Sequence, residues 1–265
     1  MTPEARQLKK INWAIVITLG ILGISLGSIL ELFLGSRISP FLAPHPDELF
    51  RQLVETPTDW IKAAAWTALM SLIASVISVV LGSVLGFWAA YKRMWSVDCW
   101  AQLIWSIPLI AIATYLLLAV GYGWAYGLSL AVFLGFFPVE KHVFDYCSTR
   151  SEGVNSISAS FGLSRRQEFL HLRLAGAFRA MGTALSQSLP LCFIGETMGE
   201  YTSGKISPVS IGLGGHLRYA QNYSEYPRLW MAIILMMLLV YWSGEGARIL
   251  WSKKFPLYDQ GDIVQ

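Results

Sequence analysis

The stretch AAAWTALMSLIASVISVVLGSVLGFWAAY, residues 63–91, decides the fold class because it contains no charged residue. At about 1.5 Å per helical residue, a helix over this stretch is longer than the ~30 Å hydrocarbon core of a bilayer. A second uncharged run, residues 99–139, contains Pro108 and the turn signal Gly-Tyr-Gly at 121–123. We interpret this second run as two helices joined by a tight turn, and the chain as an integral membrane protein.

The composition agrees with that interpretation. Of the 265 residues, 54% are hydrophobic and only 14% are charged, whereas soluble domains contain about 25% charged residues. Three more apolar segments, at 11–34, 180–195 and 229–244, bring the predicted number of spans to six. A cleaved signal peptide is the alternative for the first segment, but its apolar length and the lack of a small-residue cleavage site favour a span. We predict one all-α transmembrane domain over residues 1–265, with a core at about 60–250.

Lysine and arginine residues are concentrated in the loops on one side of the predicted spans. Because cytosolic loops of membrane proteins carry the excess of these residues, both termini and the loop at 141–179 are predicted to be cytosolic. The net charge of +3 therefore requires no nucleic-acid partner.

One stretch partly matches a nucleotide-binding motif. GEYTSGKIS at 199–207 has the glycine and lysine spacing of a P-loop, but Ile206 replaces the hydroxyl residue that would bind Mg²⁺. The predicted topology also places this stretch outside the cytosol, where there is no ATP. We interpret the match as accidental and predict no catalytic residue and no bound cofactor. The four histidines and three cysteines lack metal-ligand spacing, so no metal site is predicted.

The predicted cytosolic loop at 141–179 contains two short helical patterns separated by a glycine. Ser151 is suited to cap the first helix and Gly162 to end it in the left-handed conformation. Ser164 and Gln167 form a capping-box pattern that begins the second helix. On the residues alone, the first helix has two open interpretations: an amphipathic helix on the membrane surface, or a docking site for a cytosolic partner.

The order of residues in this loop resembles the signature loop of bacterial ABC importer permeases, roughly E-A-A-x-x-x-G followed by F and a closing L-P. Aligned on Gly162, the alanine-rich turn falls on 156–159, the Gln-x-Phe on Gln167 and Phe169, and the closing leucine on Leu174. The resemblance implies that the first helix is a coupling helix, which inserts into a groove of an ATP-binding subunit. The residues it assigns to coupling are Ser151, Glu152, Val154, Ile157, Ser158, Ala159, Phe161, Gly162 and Phe169.

Five further segments resemble the branch of these permeases for nitrate, sulfonate, taurine and pyrimidine-type nutrients, in the family's order. They are PHPDELF at 44–50, SIPLIA at 106–111, VGYG at 120–123, FFPVEKHVF at 136–144 and IGLGGHL at 211–217. The chain also departs from the family's pattern. Ser156 replaces the signature glutamate, Ile157 and Ser158 the alanines, Ala175 the proline, and His142 an asparagine, and the segment from Glu196 to Gly212 is longer than usual.

The resemblance implies a type I ABC importer-like permease in the bacterial inner (plasma) membrane, crossing it several times. Expected partners are a second permease copy in a homodimer, two ATP-binding cassette subunits that hold ATP and Mg²⁺, an extracytoplasmic substrate-binding protein, and membrane lipid. The chain itself is then no enzyme. The substrate stays open among nitrate, bicarbonate, sulfonates, taurine and a vitamin precursor.

Glu196 ends the fifth predicted span, and an ionisable group inside a bilayer usually faces a cavity or a partner. The family branch often has Ala-Glu here, near the translocation path, to which we assign Glu196, Met198 and Pro108. The alternatives for Glu196 are a solvated position at the outer interface or a pair with an arginine. Gly82-x-x-x-Gly86 favours close helix packing within the chain over a dimer interface.

Two other classes of protein stay open. An ion-coupled secondary transporter or channel would show internal repeats, broken helices and paired intramembrane charges. We see no clear repeat, and Glu196 is the only strong candidate charge. A non-transporting membrane scaffold does not explain the ordered set of motifs.

Overall fold

The computed structural model describes residues 46–149, 156, 158–203 and 212–254. Within these ranges the secondary structure is helical and no strand occurs. The first predicted span, 11–34, lies outside the described residues. The helices are α1 (Pro46–Glu55), α2 (Pro57–Lys92), α3 (Trp95–Trp105), α4 (Leu109–Val120), α5 (Trp124–Ser148), α6 (Arg165–Gln167), a π-helix (Glu168–Arg173), α7 (Leu174–Ser203), α8 (Leu213–Tyr223) and α9 (Tyr226–Lys254).

Three of these helices are long and apolar enough to cross a membrane: α2, α5 and residues Tyr226–Trp251 of α9. The helices α3 and α4 pass the same test only as a pair. With 30 residues, α7 is long enough for a span, at about 45 Å, but it is not among the helices that are apolar enough. The described residues thus contain up to four candidate spans. The total of six and the cytosolic location of the termini stay predictions.

The uncharged run at 99–139 forms three helices, so the prediction of two was wrong. The chain bends by 92° between α3 and α4. Pro108 causes the break, because proline has no N–H to donate and disfavours helical geometry in the residue before it. The predicted tight turn at 121–123 is confirmed: Gly121 and Gly123 have φ of 81° and 143°, which favour glycine, and α5 begins at the next residue.

The centre of the molecule is a bundle of α2, α5 and α7, held together by glycines at the helix contacts. A Cβ at Gly82 would lie 2.9 Å from the Phe136 carbonyl oxygen, and one at Gly86 would lie 2.8 Å from the Glu140 carbonyl oxygen. At the other face of α5, the backbone of Gly127 leaves no room for a side chain at Gly199. The prediction that Gly82 and Gly86 pack helices within the chain is confirmed.

Small polar residues fill the inside of this bundle, and large apolar residues cover its outside. On α2, Ser71 and Ser78 are buried, whereas Val76, Val80 and Val84 are 55–63% exposed. The buried hydroxyl of Ser78 donates to the Val132 carbonyl oxygen at 3.1 Å. Close packing through small residues and interhelical hydrogen bonds is how helices associate in a bilayer, where apolar side chains face lipid.

The two ends of the bundle are made by different elements. At one end, the ends of α2 and α5 and the beginning of α7 surround Ala89, Phe144, Cys147 and Ala177, with Phe169 packed against them. We call this the coupling-loop end. At the other end, the beginning of α2 and the beginning of α8 surround Trp60 and Leu213, together with Met231 and Ala232 of α9. We call this the α8 end.

Candidate functional site

The predicted glycine break of the coupling loop is confirmed. Gly162 has a φ of 59°, in the left-handed region. Its N–H donates to the Ala159 carbonyl oxygen at 3.3 Å, and the Leu163 N–H donates to the Ser158 carbonyl oxygen at 3.0 Å. These two bonds form a Schellman motif, which ends a helix by satisfying its last carbonyl groups. The helical turn that ends here includes residues 158–160.

The predicted capping box is also confirmed. The Ser164 N–H and hydroxyl both lie within hydrogen-bond distance of Gln167 Oε1, at 3.0 and 2.8 Å. In return, the Gln167 N–H reaches Ser164 Oγ at 3.4 Å. The first N–H groups of a helix have no partner within it, and this reciprocal pair satisfies two of them. The second helix of the loop therefore begins where the sequence predicts.

The structure separates the residues that the resemblance assigns to coupling. Four of them lie outside the described residues: Ser151, Glu152, Val154 and Ile157. Ala159 is exposed, and Phe161 is 76% exposed. Phe169 instead points into the molecule, where its ring meets that of Tyr91 edge-on with centroids 5.2 Å apart. Phe161 is thus available to a partner, whereas Phe169 anchors the second helix on α2.

An ion pair that we did not predict fixes the second helix to α5. Arg173 Nε and Nη2 donate to Glu168 Oε1 at 2.9 and 2.6 Å, and Arg173 Nη1 donates to the Cys147 carbonyl oxygen at 2.6 Å. The two charged residues are five positions apart, and such residues do not face each other on an α-helix. The π-helix, whose hydrogen bonds join residues five apart, brings them together. Because the pairing depends on this rare geometry, helical spacing in the sequence gave no signal for it.

At the α8 end, Glu200 and Thr67 hold the beginning of α8. The Gly214 N–H donates to Glu200 Oε2 at 2.9 Å, and the Leu213 N–H donates to Thr67 Oγ at 3.0 Å. The Thr67 hydroxyl in turn donates to Glu200 Oε1 at 2.8 Å. We call Thr67, Glu200 and these two N–H groups the α8 clamp. It satisfies the N–H groups at the start of a helix with side chains from two other helices.

Glycines in the IGLGGHL segment make room for the α8 clamp. A Cβ at Gly212, whose φ is 101°, would overlap the Glu200 carboxyl group. A Cβ at Gly214 would overlap the Thr197 carbonyl oxygen. Further along α8, His216 stacks on Trp60 with ring centroids 4.7 Å apart. Burial lowers the pKa of His216, as does the nearby charge of Arg228, so the stacked imidazole is neutral at neutral pH.

Glu196 is buried inside the chain. It is 1% exposed, and a Cβ on Gly127 of α5 would lie 2.9 Å from Glu196 Oε1. Its Oε2 has no hydrogen-bond partner among the described residues. Within the same part of the chain no arginine forms an ion pair with it. Of the interpretations left open by the sequence, a solvated glutamate and an arginine-paired one are therefore both wrong for the described part of the chain.

The two other predicted path residues lie beside α4. Met198 is half-buried and packs on the cluster of Ala113, Tyr126 and Leu130. Pro108 is exposed and immediately precedes α4. The structure thus brings Met198 close to the helix that Pro108 begins, whereas Glu196 contacts α5 through Gly127.

Comparison with known protein families gives a match over the part of the chain that contains the coupling loop. The family described as "Binding-protein-dependent transport system inner membrane component" matches residues 78–244, more than half of the chain. The chain belongs to this family. The match includes α5, the coupling loop, α7 and α8. As a member of this family of ABC transporter permeases, the chain is an integral membrane protein with apolar membrane helices.

Two relatives of the permease agree with this assignment. The formylaminopyrimidine transport permease protein ThiX of Halalkalibacterium halodurans is 24% identical over 204 residues, which are 76% of this chain and 79% of the relative. A probable ABC transporter permease protein of Haemophilus influenzae is 25% identical over 194 residues, which are 69% of this chain and 77% of the relative. The likeness therefore extends over most of both chains.

Proposed function

We propose that the chain is the membrane-spanning subunit of an ATP-driven importer that accepts a small solute from a substrate-binding protein. The observation that carries this proposal is the family match over residues 78–244, which includes the coupling loop. Within that loop, the helix that ends at Gly162 exposes Phe161, as a docking helix for a cytosolic subunit requires. Two permease copies in a homodimer would each bind one ATP-binding subunit in this way.

Transport by this assembly follows from a difference in ATP affinity between two states. ATP binding closes the pair of ATP-binding subunits and draws the two coupling loops together, which favours an outward-open permease. Hydrolysis then returns the permease to an inward-open state. ATP drives this cycle only because it binds more tightly to one state than to the other. ATP hydrolysis takes place on the partner subunits, and Glu196, Met198 and Pro108 belong to the translocation path of this chain.

The substrate is a nitrate-, sulfonate-, taurine- or bicarbonate-like anion, or a vitamin precursor. The name of the Halalkalibacterium halodurans relative, which states transport of formylaminopyrimidine, favours the vitamin precursor. At 24% identity, this relative supports the class of small solute more strongly than the individual compound.

Affinity purification in mild detergent tests the proposal. The tagged chain from its native host is expected to recover an ATP-binding subunit, identified by mass spectrometry and by its Walker A motif. Phe161→Asp is expected to abolish that recovery, because it places a charge on the exposed docking surface. Phe50→Asp is the matched control: Phe50 is 68% exposed but lies in α1, which contacts α2 and α9 rather than the coupling loop.

The contrary outcome identifies the alternative function. If the chain purifies alone under several gentle conditions, and vesicles containing it show substrate flux without ATP, the chain is an ion-coupled secondary transporter or channel instead. If an ATP-binding subunit is recovered equally with Phe161→Asp, the importer stands but the docking surface lies elsewhere.

A further inference from the structure

The connection from the coupling loop into α7 is not a regular α-helix. Three residues of α6 pass into the π-helix Glu168–Arg173 and then directly into α7. The bond that marks this change is made by the Leu174 N–H, which donates to the Phe169 carbonyl oxygen. Single turns of π-helix inside α-helices are rare and frequently lie at functional sites. This turn is the last structure before the span-length helix α7.

The π-helix is fastened to the ends of two other helices of the bundle. Arg173 donates to the carbonyl oxygen of Cys147, which is in the last turn of α5. Carbonyl groups in the last turn of a helix have no partner within it, and a cation there also interacts favourably with the helix dipole. Phe169 packs on Tyr91, in the last turn of α2. The π-helix is therefore bound to α2 and α5 and continuous with α7.

The coupling loop is joined to this anchored turn through Glu168. The Ser158 hydroxyl lies 3.3 Å from Glu168 Oε2, while Glu168 Oε1 accepts from Arg173. The side chains of Glu168 and Arg173 are only 20% and 12% exposed. A charge-assisted pair that is largely removed from water is stronger than a surface salt bridge. A continuous set of bonds thus runs from Ser158 through Glu168 and Arg173 to α5.

The backbone that connects the short coupling helix to the second helix of the loop can bend easily. It passes through Gly162, which has a left-handed backbone, and no atom of the described residues lies within 4 Å of a Cβ built there. Backbone torsion at an unpacked glycine is easily changed, since glycine populates both signs of φ. Displacement of the short helix by a partner would therefore bend the chain at Gly162 unless side-chain bonds resist it.

We propose that Glu168 and Arg173 form a positioning pair that makes the short coupling helix move as one body with the α2–α5–α7 bundle. This inference rests on the proposed function, in which an ATP-binding subunit displaces that helix. With the pair intact, a displacement at residues 158–161 is transmitted to the spans. Without it, the short helix moves on its own at Gly162, and ATP hydrolysis is uncoupled from the permease.

The experiment measures one distance within the chain by double electron–electron resonance. Nitroxide labels are placed at Ser160 and at Val76, both exposed, after replacement of the exposed Cys99 by serine. The labelled chain is assembled with its ATP-binding subunits, diluted with unlabelled chain, and measured without nucleotide and after trapping with ATP and vanadate. In the wild type we expect the Ser160–Val76 distance to stay constant, because both labels move together.

In Arg173→Ala and Glu168→Ala, trapping is expected to shift that distance by at least about 2 Å, the size of a helix displacement at an interface. Glu168→Gln is the conservative control and is expected to behave as wild type, because its amide oxygen still accepts from Arg173. A pair that serves stability alone would lower the yield of complex without producing this shift. If Arg173→Ala does not assemble, Glu168→Ala carries the test, since it leaves the bond from Arg173 to Cys147 in place.

Two outcomes overturn different claims. If both alanine variants bind and hydrolyse ATP and their distance stays as constant as in the wild type, Glu168 and Arg173 do not transmit the displacement, and the inference is wrong while the importer stands. If the wild-type chain recovers no ATP-binding subunit and its preparation hydrolyses no ATP, the proposed function fails first, and the inference fails with it.

Discussion

The two ends of the α2–α5–α7 bundle use the same device, an ionisable side chain hydrogen-bonded to the end of a helix, but in different surroundings. At the α8 end, Glu200 is 7% exposed and accepts from a hydroxyl and a backbone N–H at 2.8 and 2.9 Å. At the coupling-loop end, Arg173 binds the end of α5, and Phe161 of the same loop is 76% exposed. Among the described residues, the helix start at the α8 end is satisfied by buried side chains, whereas the coupling-loop end leaves the large apolar side chain of Phe161 exposed.

This difference predicts that the α8 end contributes to the stability of the chain and the coupling-loop end to its assembly with a partner. Substitutions in the α8 clamp should lower the stability of the isolated chain, because buried donors lose their acceptors. Substitutions in the coupling segment, residues 158–162, should lower stability less and act mainly on the assembly with a partner. The three predictions below test that contrast, from the largest expected effect on stability to the smallest.

Glu200→Ala is expected to have the largest effect. It removes the acceptor of the Gly214 N–H and of the Thr67 hydroxyl, and leaves both donors buried. Unsatisfied buried groups of this kind cost about 1–3 kcal/mol each, so we expect a loss of about 3 kcal/mol. The thermal midpoint of the purified chain in detergent measures it. The control is Glu225→Ala, because Glu225 forms a partly exposed ion pair with Arg228, and such a pair contributes about 0.2–1 kcal/mol. Equal thermal midpoints for the two variants would mean that the clamp does not hold α8.

Gly212→Ala is expected to have a smaller effect at the same end. The added methyl group would overlap the Glu200 carboxyl group at a backbone φ of 101°, and such strain costs about 1–3 kcal/mol. Gly246→Ala is the matched control, because a Cβ there meets no atom of the described residues within 4 Å and alanine favours a helix by about 1 kcal/mol over glycine. The thermal midpoint should therefore fall with the first substitution and hold or rise with the second. A fall of the same size in both would contradict the steric argument.

The sequence predicted those parts of the molecule that depend on neighbouring residues. Ser164, Gln167 and Gly162 formed the capping box and the helix end because the groups involved lie within a few residues of one another. The α8 clamp joins Thr67 to Glu200 across 133 positions, and no local pattern indicates such a contact. Glu168 and Arg173 lie close in sequence but pair only through a π-helix, whose geometry helical periodicity does not predict.

Pro108 is a different case, since its effect is local. The length of the uncharged run suggested one helix before the Gly-Tyr-Gly turn, and the proline divides it into α3 and α4. Span length favours one helix over these residues, but the missing N–H of Pro108 is the stronger signal. Glu196 was identified from its residue type and position, but its burial against Gly127 depends on how α5 and α7 pack.

Gly162→Ala is expected to have the smallest effect on stability and a clear effect on coupling. Gly162 has a φ of 59°, and no atom of the described residues lies within 4 Å of a Cβ built there. The added methyl group therefore meets no obstacle. The cost is that of a left-handed backbone in a non-glycine residue, about 1–2 kcal/mol, and it is confined to one exposed turn. The ratio of substrate transported to ATP hydrolysed in proteoliposomes measures coupling, and we expect it to fall while membrane insertion stays normal. Gly162→Asn is the control, because asparagine tolerates this conformation better than other residues, and it should keep more of the wild-type ratio. An unchanged ratio in Gly162→Ala would show that the end of this helix is not where the partner's movement enters the chain, and the contrast between the two ends would then rest on stability alone.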